Sequence, residues 1–97
     1  MTGEPGGFMG ITIKKLSEEE AKALGITSWP KWEQGESSFD WYYGDNEDCY
    51  LLEGEVEVET SEGEKVRIGK GDFVHFPCGI KCKWHITKPI KQFYHFC

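Results

Sequence analysis

Residues 47–82 read EDCYLLEGEVEVETSEGEKVRIGKGDFVHFPCGIKC, and this stretch decides the fold. In EVEVET, Val56 and Val58 alternate with Glu55, Glu57 and Glu59. A period of two puts the valines on one face and the acids on the other, as in a strand with one side in a core and one in water. Turn residues follow at Ser61-Glu62-Gly63, Gly69-Lys70-Gly71-Asp72 and Pro77-Cys78-Gly79. The pattern extends in both directions, to SFDWYY before Gly44-Asp45-Asn46 and to a further turn at Thr87-Lys88-Pro89. Short strands at about ten-residue spacing, rich in Val, Ile, Tyr, Phe and Trp, predict an all-β antiparallel sandwich or barrel.

Upstream, SEEEAKALG carries a helix signal. Ser17 and Glu20 have capping-box spacing, acids fill the first turn, and Gly25 stands where a helix end favours a left-handed residue. One short helix over 17–24 is predicted. Residues 1–10, MTGEPGGFMG, carry four glycines and a proline and read as a flexible tail ahead of a single domain over 11–97.

Ninety-seven residues make one domain with one modest core. At 38% hydrophobic but 14% aromatic, that core is built from few, large side chains. A net charge of −6 repels phosphate backbones and anionic membranes, so neither nucleic acid nor a membrane is expected as a partner. There is no apolar run of membrane-spanning length and no signal-peptide pattern, which points to the cytoplasm. There, Cys49, Cys78, Cys82 and Cys97 are expected as reduced thiols.

Glu47-x6-Gly54 and Gly71-x5-Pro77-x-Gly79 resemble the two motifs of the cupin superfamily. WPKWE, SSFDWYY, CYLLEGEVEV and GDFVHFPCGIKCKW together resemble the small single-domain cupins related to the (S)-ureidoglycine aminohydrolase cupin domain, over about residues 11–97. The resemblance implies an RmlC-like jelly-roll barrel, a homodimer paired through its edges, and a metal site inside. Carried over position by position, the metal ligands fail. The two histidines of the His-x-His pair fall on Trp41 and Tyr43, the acid on Glu47, and the last histidine on Cys82. One carboxylate and one thiol remain, so no cofactor is expected. A divalent metal, if present, would have to use Glu47, Cys82 and Tyr43. The alternative is structural, with Glu47 accepting hydrogen bonds inside the barrel and Cys82 packing as a small hydrophobe.

Strand parity names the residues that share the lumen: Phe39, Trp41, Tyr43, Glu47, Cys49, Leu51, Cys82 and Trp84, with Gly54 allowing the register change that brings Val56 and Val58 inside. Aromatic walls around one acid suit a small polar or ring-containing ligand, sugar-like or ureide-like. The same rings could equally fill the barrel themselves. His75, His85 and His95 are dispersed, and Cys82 has no base at a telling spacing. The sequence therefore leaves two functions open: a small-molecule-binding protein or enzyme of the cupin type, and a non-catalytic module with an interaction or regulatory role.

Overall fold

The computed structural model describes residues 10–61 and 63–96, so the predicted tail lies almost wholly outside the described residues. The helix forms where its signals stand. Ser17 Oγ accepts from the Glu20 amide at 3.1 Å, Glu20 accepts in return from the Ser17 amide at 2.9 Å, and α1 runs Glu18–Ala23. Gly25, at φ 80°, then turns the chain into a short 3-10 segment, Ile26–Ser28.

Among the described residues seven strands form: β1 Thr12–Lys15, β2 Lys31–Gln34, β3 Ser37–Tyr42, β4 Glu47–Thr60, β5 Lys65–Gly69, β6 Asp72–Phe76 and β7 Lys81–Phe96. All pair antiparallel. The long strands β4 and β7 form a spine. Their outer halves, Glu47–Leu51 against Gln92–Phe96, carry β6 and then β1 on one side and β2 on the other. Their inner halves, Val56–Thr60 against Cys82–Ile86, carry β5 and β3.

The spine bends at Gly54. Leu51 and Val56 both reach zero exposure although they stand five positions apart, an odd step that strict alternation forbids. The ladder accommodates this by shifting register between Leu51 and Val56. Gly54 has φ +97°, and a Cβ there would lie 2.2 Å from Pro89 O, so only glycine fits. The predicted turn at Thr87-Lys88-Pro89 is instead the matching bend within β7. Pro89 lacks an amide hydrogen, but at a bulge no ladder bond is demanded of it.

The bend folds the two halves face to face over a core of Cys49, Leu51, Val56, Val58, Val74, Phe76, Cys82, Trp84 and Ile86. The antiparallel β architecture is the predicted one, but among the described residues the barrel is not closed: the hydrogen-bonded path is open, with β1 and β2 at its ends. Side-chain packing across the fold takes the place of closing hydrogen bonds. On the outer face of the first half, α1 and the 3-10 segment cover Tyr50 and Phe93 with Leu16, Ala21 and Ile26, and Tyr50 Oη donates to Leu16 O at 3.0 Å. Among the described residues no helix is long and apolar enough to cross a membrane.

Candidate functional site

Where the two half-sheets diverge they leave a cavity of about 240 Å³. Phe39 and Trp41 of β3, Tyr43 of the loop after it, Glu47 at the start of β4 and Trp84 of β7 line it, all expected from parity. Trp32 of β2 and Gln92, Tyr94 and Phe96 of β7 complete the lining, and sequence reasoning missed them. A signal was there: 92, 94 and 96 share the parity of 82 and 84, but Thr87-Lys88-Pro89 read as a turn that broke the count. Cys49 and Cys82 face the same interior yet do not line the cavity. Both are buried in the core beneath it.

The rings hold one another in place. Phe39 stacks on Trp84 at 6.1 Å, and Trp32 meets both edge-on at 6.2 and 6.3 Å. Tyr43 stacks on Phe76 at 4.6 Å, and its hydroxyl accepts from Trp84 Nε1 at 3.1 Å. At the rim Trp41 and Phe96 are 45% and 54% exposed, so the walls run from dry to wet.

Among the described residues one charged side chain lines the cavity. Glu47 is 7% exposed, and burial raises its carboxyl above the ordinary carboxylate value, with the neighbouring Asp48 adding to the rise and a hydrogen bond from Cys49 opposing it. The Cys49 thiol donates to Glu47 Oε2 at 3.3 Å. Burial and the adjacent Glu47 hold that thiol well above its usual range. Gln92, itself 3% exposed, keeps Oε1 without a protein partner among the described residues. No ion pair among the described residues involves Glu47.

The three histidines lie elsewhere. His75 Nδ1 pairs with Asp48 at 2.6 Å, His85 bonds Ser38 Oγ, and His95 stacks on Trp29 at 4.9 Å.

Residues 21–94 match the family model described as the EutQ-like cupin domain. The chain belongs to that cupin family. A DUF861 family protein from Thermotoga maritima is similar at 46% identity with a TM-score of 0.85, over 90% of this chain and 99% of that one. A DUF861 family protein of unknown function from Pseudomonas syringae pv. tomato is 25% identical over 69% of this chain and 29% of its own, with a TM-score of 0.63. The EutQ protein of Clostridium difficile shares the fold at 21% identity with a TM-score of 0.64, over 89% of this chain and 66% of that one. No curated protein matches.

Cupins often bind a metal, and the donors here can be tested for one. Among the described residues no group of three or more His, Cys, Asp or Glu is placed to hold a metal ion. The chemistry of the set agrees. Burial pushes the Tyr43 hydroxyl up and the Cys82 thiol up to about 11, so both stay protonated near neutral pH. Tyr43 Oη already accepts from Trp84, and Cys82 does not line the cavity. A lone carboxyl is left where a transition metal needs three or four donors. These residues do not fit a cupin metal centre.

Proposed function

We propose that this cupin binds a small polar or ring-containing metabolite, sugar-like or ureide-like, in the aromatic cavity beside Glu47. One observation carries the reading: Gln92 Oε1, buried and without a protein partner among the described residues, belongs to a side chain lining a cavity walled by rings. A buried acceptor left unpaired costs about 1–3 kcal/mol, and a ligand donor would remove that cost. Had the rings merely filled the interior, neither the space nor the orphan acceptor would be needed. The ureide alternative draws on the resemblance to the ureidoglycine aminohydrolase cupin domain. Its hydrolytic step is not carried over, because the metal positions hold Trp41, Tyr43 and Cys82.

The protein works in the cytoplasm under this reading, consistent with free Cys49, Cys78 and Cys82. It acts as a homodimer that covers sheet edges such as β1 and β2. A thermal-shift screen against metabolite mixtures tests the ligand reading. Hits should raise the melting temperature, and Trp84→Phe or Trp41→Ala should weaken them. A screen in which no small polar or ring-containing metabolite stabilises the protein would refute it.

A further inference from the structure

Acceptors meet beside Glu47. The Cys49 thiol donates to Glu47 Oε2 at 3.3 Å, and Gln92 Oε1, on the same cavity wall, has no protein partner among the described residues. An occupant thus finds two acceptor groups, Gln92 Oε1 and the Glu47 carboxyl. Among the described residues that line the cavity, Glu47 is the one charged group, with no lysine, arginine or histidine to receive an anion. Around it stand Trp32, Phe39, Trp41, Trp84 and Tyr94. Aromatic faces attract a cation through their quadrupoles, most strongly once it is desolvated. A carboxylate that burial has stripped of water and left without a counter-ion gains from the same partner.

We infer that the occupant is a small organic cation bearing N–H donors, a protonated amine, amidine or guanidine, with its charge against Glu47 and the ring faces and an N–H on Gln92 Oε1. The inference rests on the cavity being a ligand site, as proposed above, and narrows the ligand's class. A sugar satisfies the acceptors but not the buried charge. An anion meets repulsion from Glu47. When Glu47 carries its proton, binding the cation releases that proton to solvent, so affinity should rise with pH through the raised carboxyl value and then level off.

Other titratable groups near Glu47 are Tyr43 ahead of β4, Asp48 and Cys49 on β4, Tyr94 on β7, and His75, which pairs with Asp48. The carboxyl's share of the pH dependence is therefore the part that Glu47→Gln removes.

The test uses three probes of one shape and different charge, benzamidinium, benzamide and benzoate, titrated into the full chain by calorimetry from pH 4 to 8. Benzamidinium should bind about ten- to a hundredfold more tightly than benzamide at pH 8, and benzoate should not bind. Glu47→Gln should bring benzamidinium down to the benzamide level and flatten its pH profile, and Gln92→Met should weaken both amide-type probes. Should Glu47→Gln fail to fold, the wild-type pH profile carries the test, since a flat one overturns the charge pairing. Benzamide or benzoate binding as tightly as benzamidinium overturns the cation while leaving the cavity a ligand site. Three probes that all fail at millimolar concentration overturn the cation, while the metabolite screen separately decides whether the cavity is a ligand site.

Discussion

Replacing Gly54 with alanine tests the bend that creates the cavity. At φ +97° an L-residue is strained by about 1–3 kcal/mol. The new methyl would lie 2.2 Å from Pro89 O and 2.8 Å from Ile90 Cα, where ordinary contact begins near 3.4 Å. Both neighbours include backbone of β7, so relief requires the β4–β7 ladder to part by roughly an ångström rather than a side chain to rotate, at a further ~1–3 kcal/mol. The total, about 2–6 kcal/mol, is a large share of the ~5–15 kcal/mol that holds a domain together. With a urea slope of about 1–1.5 kcal/mol per molar, tryptophan fluorescence should show the unfolding midpoint falling by about 1–6 M. A loss under ~1 kcal/mol would show that the spine relaxes freely at Gly54 and that the parity switch from Leu51 to Val56 does not depend on it.

Tyr43→Phe should cost about 1–3 kcal/mol, because the buried Trp84 Nε1 loses its acceptor; a neutral result in thermal unfolding would show that the indole finds another partner. Glu47 sets a pH signature. Its carboxyl is raised, so the stability it contributes is fully present below the ordinary value of 4.5 and lost as pH rises through the folded-state value. Unfolding titrations should therefore show wild type losing stability relative to Glu47→Gln above pH 4.5, and the opposite slope would contradict the burial argument. With the Cys82 thiol pushed up to about 11, only about a thousandth of it is thiolate at pH 8. In a Cys97→Ser background a thiol reagent should modify exposed Cys78 at once and Cys49 and Cys82 only on unfolding. Rapid native labelling of Cys82 would refute its core placement.

Local signals were the legible ones. Ser17, Glu20 and Gly25 bound a helix because capping acts over one turn, and the EVEVET alternation gave Val56 and Val58 to the core because strand parity is strict between bends. The bends themselves were half-legible. Gly54 announced the break in β4, but its partner at Pro89 looked like a turn, because a proline with no ladder bond to make reads the same at a bulge and at a hairpin. That one ambiguity hid Gln92, Tyr94 and Phe96. β2 was hidden for another reason: in KWEQ only Trp32 is partly buried and the rest is exposed, so the strand carries no apolar alternation. Whether the rings leave space or fill it could not be read at all, since that depends on how far the two half-sheets diverge. The failed metal stencil was readable residue by residue, because donor chemistry belongs to the side chain itself.

The central claim, that the cavity beside Glu47 is a ligand site and not a metal centre or a filled core, is tested most directly by a high-resolution crystal structure of protein purified without chelators and soaked with the tightest-binding compound of the screens. The account predicts organic density between the rings, with a polar atom within hydrogen-bond distance of Gln92 Oε1 and another against the Glu47 carboxyl. A metal ion coordinated by Glu47, or Trp41 and Phe96 folded inward so that no cavity remains, would contradict it.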